Sequence, residues 1–150
     1  MTQNEKDLLL KDLCARLDTN LVCSIYRTDD EGVGYRDEIL HGYCKGDIWY
    51  EFYFREDCSI GIDNVSKIKP YLFPLSSMTE EQKKDIFHNG KFYIDRHNSL
   101  CRFPMYEDDY DFVTMEDCLE IFNKLNKYHF DYRGLIPMGL ANDATGLNIY

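Results

Sequence analysis

The sequence predicts an α+β fold in which an antiparallel meander sheet of about four or five strands packs against two to three helices. Two observations predict this class. Residues 4–17 and 114–125 repeat apolar side chains at helical spacing. Between them, residues 21–62 divide into short segments rich in branched and aromatic residues, separated by turn-forming residues. Strands that follow one another through short turns pair in antiparallel fashion.

The N-terminal segment, residues 4–17, is predicted to be an amphipathic helix. Its charged side chains fall mostly away from the apolar face. That face consists of Leu10, Leu13, Cys14 and Leu17. Asn20 can adopt the left-handed conformation that ends helices. We therefore expect a helix that covers one face of the sheet and stops near Asn20.

Four strands are predicted next, at residues 21–27, 36–44, 48–55 and 58–62, with a polar, glycine-bearing loop at 28–34. The third strand alternates most clearly, because side chains of successive strand residues point to opposite faces. One face carries Ile48, Tyr50, Phe52 and Phe54, and the other carries Trp49, Glu51, Tyr53 and Arg55.

If the first of those faces is buried, Trp49 and Tyr53 form an aromatic patch on the opposite side of the sheet, with His41 and Tyr43 near it. Tyrosine and tryptophan are favoured at protein interfaces because they combine a large apolar area with a polar group. The alternative is that helices cover both faces, or that the rings pair across strands.

The second half of the chain opens with Pro70 and Pro74 in residues 69–78, which exclude a regular helix and a central strand. We therefore predict an extended connection. Thr79 can cap the following helix together with Gln82, and the helix should run to about residue 88. Short strands are predicted at 91–95 and 100–103.

A last helix is predicted to begin at Thr114 as N-cap, with Asp117 three residues on. Its apolar stripe is Met115, Cys118, Leu119, Phe122 and Leu125. We expect this helix to fill the same core as the first one. The whole chain, 1–150, is predicted to be a single globular domain with a loosely held tail at 142–150.

Composition limits the classes of function. The net charge is -10, from 27 acidic and 17 basic residues, and this field opposes direct binding to a phosphate backbone. A basic protein partner is compatible with it, although acidity also simply keeps a protein soluble. No apolar run approaches the roughly 20 residues that cross a bilayer, and residues 1–7 are polar, so we expect no membrane segment and a cytoplasmic location.

The six cysteines are widely and irregularly spaced, without a C-x-x-C pair. In a reducing compartment they are expected to be thiols, mostly buried. His41 and Cys44 are the nearest approach to a metal-ligand pair, which is too little for a zinc site. The acidic run at 107–111 fails as a calcium loop because Val113 and Thr114 occupy positions that need a ligand and a glycine. The sequence predicts no metal and no cofactor.

No phosphate-binding glycine loop, nucleophile elbow or zinc-protease motif is present, which favours a non-enzymatic protein. His129 with Asp131 could be an oriented base, but His129 follows a helix, where polar side chains commonly bond free carbonyls. We favour the capping role. A reactive cysteine would need a nearby histidine and a lowered pKa, which sequence does not show.

Two segments, KPYLFPLSSMTEE at 69–81 and HFDYRGLI at 129–136 with Gly139-Leu140-Ala141 after it, resemble a family of small acidic proteins. That family is carried by gut anaerobic bacteria and their phages and mobile elements. Where the family has a histidine this sequence has Tyr128, which argues against a required histidine pair. The resemblance implies a setting and no mechanism. Both segments are also consistent with a folding role, through the rigid proline connection and the glycine turn at Gly134.

We predict a non-enzymatic protein-interaction module of phage or mobile-element origin that binds a host protein through an acidic, aromatic surface. The candidate binding residues are Trp49, Tyr53, Asp108, Asp109, Asp111, Asp131 and Arg133. The alternative is a small-ligand-binding protein or enzyme with a cysteine and histidine pocket. A homo-oligomer formed through a sheet edge or aromatic face is a third hypothesis.

Overall fold

A computed structural model describes residues 1–29, 32–45, 50–55, 58–88, 90–97, 99–102 and 114–150. These ranges contain three α-helices, α1 (Gln3–Ala15), α2 (Glu80–Ile86) and α3 (Met115–Lys127). They contain nine strands, β1 (Val22–Asp29), β2 (Gly32–Ile39), β3 (Gly42–Lys45), β4 (Tyr50–Arg55), β5 (Cys58–Gly61), β6 (Ile68–Leu72), β7 (Phe92–Ile94), β8 (Leu100–Arg102) and β9 (Asn142–Asp143). The predicted α+β class is confirmed. None of the helices in the described ranges is long and apolar enough to span a membrane.

The largest sheet is mixed, so the prediction of a purely antiparallel sheet is wrong. Its strands lie in the order β2-β1-β6-β9, and β9 pairs with β6 in parallel. The chain reaches β9 only after passing through α3, which is a connection long enough for parallel pairing. The other two sheets, β3-β4-β5 and β7-β8, are antiparallel.

The first hairpin is longer than predicted. Asp29 of β1 pairs with Gly32 of β2, so most of the predicted loop at 28–34 is strand. Glycine usually weakens a strand interior, which is why Gly32 and Gly34 suggested a loop. The predicted strand at 36–44 is instead divided in two. The Leu40 N–H donates to Leu21 O and the His41 N–H donates to Tyr53 O, so the chain leaves β1 and joins β4 at this point.

Pro70 lies inside β6, which has neighbours on both sides, so the expectation that prolines exclude a central strand is wrong. Pro70 faces Cys23 of β1 in the antiparallel register. On the other side, β9 pairs only with Tyr71 and Leu72. The missing N–H of Pro70 therefore leaves no gap in the pairing with β9, because that pairing begins one residue later.

Three helices begin at capping boxes. The caps of α2 at Thr79 with Gln82 and of α3 at Thr114 are confirmed. Thr2 and Glu5 form a third box at the start of α1, which the sequence analysis did not include. Asn20 adopts the predicted left-handed conformation, with φ of 54°.

The two terminal helices pack into different hydrophobic clusters, which contradicts the prediction of a common core. Leu9 and Leu13 of α1 pack with side chains of β1, β4 and β6. Ile121 and Leu125 of α3 pack with α2 and with Phe130. The apolar stripe of α3 is also wrong at its start, because Met115 and Leu119 are exposed. Helix α3 is therefore rotated so that Ile121, rather than Leu119, faces the cluster.

Candidate functional site

Four of the predicted binding residues, Trp49, Asp108, Asp109 and Asp111, lie outside the described residues. Tyr53 lies on β4, half-buried, on the face opposite Phe52 and Phe54. Phe52 and Phe54 are fully buried, which confirms the predicted alternation of this strand. The Tyr53 hydroxyl lies 3.5 Å from Glu51 Oε2.

The carboxylate of Asp131 is buried and bonded to the backbone that follows it. Its Oδ1 accepts the Leu135 N–H and its Oδ2 accepts the Ile136 N–H, each at 2.8 Å. These two bonds close the turn at 131–136, within the segment that carries the family resemblance. Both carboxylate oxygens therefore have internal partners, which supports a folding role for Asp131.

Replacing Asp131 with asparagine is expected to lower the free energy of unfolding by about 1–3 kcal/mol. The amide nitrogen cannot accept a hydrogen bond, so one of the two buried N–H groups loses its partner. Asp143→Asn is the matched control, because Asp143 Oδ1 accepts the Thr145 N–H at an exposed turn. Urea unfolding should show no measurable loss for Asp143→Asn. Equal losses for the two variants would contradict the structural role of Asp131.

Arg133 belongs to a buried ion cluster with Asp12 and Arg16. Its Nη1 donates to Asp12 Oδ1 at 2.7 Å, and its side chain is 23% exposed. Arg16 binds the same carboxylate with two donors, Nε to Oδ2 at 2.9 Å and Nη2 to Oδ1 at 3.1 Å. Asp12 and Arg16 are completely buried. A bidentate pair of this kind is the strongest form of an arginine and carboxylate contact.

Arg16 also ties α1 to the end of α3. Its Nη2 donates to Phe130 O at 2.8 Å and its Nη1 to Asn126 O at 3.3 Å. The Tyr132 ring lies beside both guanidinium groups, 4.4 Å from that of Arg133 and 5.6 Å from that of Arg16. The cluster therefore joins the two hydrophobic clusters. Asp12 and Arg16 are four residues apart, a spacing typical of an ion pair on a helix. Their burial was not predicted, because charged residues of a helix usually face solvent.

His129 ends α3 through its main chain. Its φ is 58°, its N–H donates to Asn126 O, and the Phe130 N–H donates to Leu125 O. This pair of bonds is the Schellman arrangement, which usually has glycine at the left-handed position. The prediction was a bond from the His129 side chain to a free carbonyl, whereas the structure ends the helix through the backbone of His129. Asp131 does not orient the imidazole, because its two oxygens bind Leu135 and Ile136.

The imidazole of His129 is buried against the last residue of the chain. It stacks on the Tyr150 ring with centroids 3.9 Å apart and planes 10° apart. Its Nδ1 is buried and has no hydrogen-bond partner among the described residues. Burial, with the Arg16 guanidinium acting in the same direction, lowers the pKa of His129 to about 4. The ring is therefore neutral at physiological pH.

Tyr150 anchors the C-terminal segment to the large sheet. Its hydroxyl donates to Tyr71 O at 2.6 Å and accepts the Val22 N–H at 3.3 Å, bridging β1 and β6 beyond their last paired residues. The Ala144 N–H donates to Leu72 O, next to β9. The family-like segment around His129 and the end of the chain are thus held by the same contacts.

The described cysteines give no support to a nucleophilic thiol. Cys14, Cys23, Cys101 and Cys118 are free, and only Cys23 is fully buried. Burial raises the pKa of the thiols of Cys14, Cys23 and Cys101, whereas a nucleophile needs a lowered value. Across the described ranges, no three His, Cys, Asp or Glu side chains come together in a group that could hold a metal ion.

A cavity of about 370 Å³ lies beside Asp131, Tyr132 and Arg133. Its described lining contains His97 and no cysteine. The two charged side chains from the family-like segment are already engaged, Asp131 by backbone N–H groups and Arg133 by Asp12. Asp131 and Arg133 therefore stabilise the turn at 131–136, and this arrangement favours a structural role over a catalytic one.

Among the described residues, the first hairpin carries an exposed pair of aromatic side chains. Tyr26 of β1 lies directly opposite Tyr35 of β2, and their rings meet edge to face with centroids 5.2 Å apart. Tyr35 is 62% exposed and Tyr26 is 38% exposed. Val33 and Ile39 lie on the same side and are exposed as well. We call Tyr26, Val33, Tyr35 and Ile39 the outer face of the β1–β2 hairpin.

The strand register explains why these side chains point outward. Cys23 and Ile25 alternate with Tyr26 along β1 and are fully buried in the first cluster. Asp37 lies on the same side of β2, between Tyr35 and Ile39, and its Oδ1 accepts the Tyr71 hydroxyl at 3.0 Å. That bond links β6 to β2 across β1 and holds a carboxylate beside the aromatic rings.

Comparison of the chain with protein families, with curated proteins and with solved structures gives no match.

Proposed function

We propose that this chain is a non-enzymatic protein-interaction module that binds a partner protein through the outer face of the β1–β2 hairpin. The observation that carries the proposal is the exposed tyrosine pair, Tyr26 and Tyr35, with exposed Val33 next to it along β2. Ile39 lies on the same side, beyond Asp37. Single exposed apolar residues are ordinary, but a contiguous group of aromatic and branched side chains is typical of an interaction surface.

The charge of the chain supports a basic partner. The net charge is -10, and Asp37 lies on the outer face itself, between Tyr35 and Ile39. Complementary charge speeds association and suppresses wrong partners, while buried aromatic side chains supply most of the binding energy. The family resemblance supports a phage or mobile-element setting in which the partner is a protein of the bacterial host.

Capture from a bacterial host lysate tests this proposal. The double variant Tyr26→Ser/Tyr35→Ser is compared with the unchanged chain, with washes at about 0.1 M and about 1 M salt, over which the screening length falls from about 10 to 3 Å. We expect a specific protein bound by the unchanged chain at both salt concentrations and lost by the double variant, because the aromatic contact is not screened by salt.

Met115→Ser/Leu119→Ser is the matched control, since those apolar residues are exposed on α3 instead. The control should retain the partner. Equal capture by the Tyr26→Ser/Tyr35→Ser variant would contradict the proposal. Light scattering on the purified chain tests whether the same face binds a second copy of the chain instead. In that case the molar mass rises with concentration.

A further inference from the structure

A groove of about 620 Å³ lies between α2 and β7, remote in the chain from the β1–β2 hairpin. Phe87, which directly follows α2, and Phe92 and Ile94 of β7 supply apolar lining, together with Leu75. The side chains of Phe87, Phe92 and Ile94 are only half-buried, although they pack against the second hydrophobic cluster. This volume falls within the range of small-molecule sites in proteins, about 300–1,000 Å³.

The rim of this groove is positive, in contrast to the chain as a whole. Lys83, Lys84 and Arg96 line it, whereas the net charge of the chain is -10. Lys83 is paired with Glu80 at 2.7 Å, and Asp95 contributes one negative charge, so Lys84 and Arg96 leave the described lining with a net positive charge.

Asp95 is the acidic residue of the described lining, and its carboxylate is occupied by the turn that follows. Its Oδ1 accepts the N–H groups of His97 and Ser99, each at 2.9 Å. The Asp95 N–H in turn donates to Ser99 O at 3.0 Å. The carboxylate therefore fixes the turn that carries Arg96 at the rim.

We propose that the groove between α2 and β7 binds an organic anion, a molecule with a flat apolar body and one negatively charged group. The apolar body would lie on Phe87, Phe92 and Ile94, where aromatic rings favour offset or edge-to-face contact. The charged group would lie at the rim between Lys84 and Arg96. Among anions, this lining favours those with an apolar body, because it combines cations with apolar side chains.

Two fluorescent probes that differ by one charge test the proposal on the purified chain. Anilinonaphthalene sulfonate is a flat apolar anion, and phenylnaphthylamine is the same body without the sulfonate. We expect saturable binding of the anion at one molecule per chain, and binding of the neutral probe about tenfold weaker or more, the order expected for two cations near one anion at a solvent-accessible site. Equal affinities for the two probes, or no saturable binding of the anion, would overturn the proposal.

Lys84→Gln/Arg96→Gln is expected to weaken the anion about tenfold and to leave the neutral probe unchanged. Lys67→Gln/Lys127→Gln is the matched control, because it removes two exposed cations elsewhere and should change neither affinity. An equal loss in both double variants would show that only the general field of the chain matters, and would contradict a site in the groove. Far-ultraviolet circular dichroism checks that all variants keep the fold.

Discussion

Replacing Arg16 with methionine is expected to lower the free energy of unfolding by about 3–5 kcal/mol, because removing one partner of a buried ion pair leaves the other uncompensated. Asp12 is completely buried and would keep only Arg133, whose side chain is 23% exposed. The carbonyls of Asn126 and Phe130 would each lose one donor and keep a backbone one, from His129 and Tyr132 respectively. Methionine preserves most of the apolar volume of the side chain, so cavity formation contributes little. Urea unfolding measures the effect.

The control for Arg16 is Lys83→Met, which breaks an exposed ion pair with Glu80. Surface pairs of this kind contribute little, and no measurable change is expected. Asp12→Leu/Arg16→Met should recover part of the loss of Arg16→Met, because it removes the stranded charge together with its partner. An Arg16→Met variant as stable as Lys83→Met would show that the cluster does not hold α1 to the end of α3.

Lowering the pH from about 6.5 to about 4 is expected to remove about 3 kcal/mol of stability through His129 alone. The pKa of His129 is lowered from 6.5 to about 4 in the folded chain. Between these values the unfolded chain binds a proton that the folded chain does not, so stability falls as the pH falls. Well above pH 6.5 the imidazole is neutral in both the folded and the unfolded chain, so no stability is lost there. The size of the loss follows from 1.36 kcal/mol for each pH unit between the two pKa values.

Carboxylates also titrate in this window, so the effect is measured as a difference between two chains. His129→Asn cannot titrate, and asparagine tolerates the left-handed conformation that His129 adopts. Urea unfolding across pH 4 to 7 should give a flatter profile for His129→Asn than for the unchanged chain. Parallel profiles would mean that the imidazole is protonated equally in both states, which would contradict its burial against Tyr150.

Local features of the fold were predictable because short-range chemistry determines them. The caps at Thr79 and Thr114 satisfy the free amides of the next turn, and Asn20 is one of the few residue types that adopt the left-handed conformation. The alternation of β4 follows from the two-residue period of a strand, and Phe52 and Phe54 are buried as that period requires.

Long-range features were not predictable from the same patterns. The contact between Arg16 and Phe130 spans 114 residues, and nothing in either local sequence indicates it. The parallel pairing of β6 with β9 likewise joins segments about seventy residues apart in the chain. Two hydrophobic clusters rather than one arise because α3 packs on α2, and helical periodicity shows only that a face is apolar, not what covers it.

The predicted aromatic patch around Trp49 and Tyr53 stays a prediction, because Trp49 lies outside the described residues. Tyr53 does point away from the core. The exposed tyrosine pair of the first hairpin was not predicted. Gly32 and Gly34 led to the prediction of a loop at 28–34, because glycine is unfavourable inside a strand. With a loop there, the sequence gives no strand pairing, and Tyr35 is not expected opposite Tyr26. An edge strand such as β2 tolerates glycine, so glycine content alone predicts the wrong secondary structure for the residues beside it.

The most direct test of the proposed function is the dissociation constant of the captured partner, measured by isothermal titration against the unchanged chain and against Tyr35→Ser. Tyr35 is the more exposed ring of the pair, and aromatic side chains at the centre of an interface commonly dominate the binding energy. We predict an affinity loss of about tenfold or more for Tyr35→Ser, and no change for Leu119→Ser. An unchanged dissociation constant for Tyr35→Ser in a folded variant would contradict binding through the outer face of the β1–β2 hairpin.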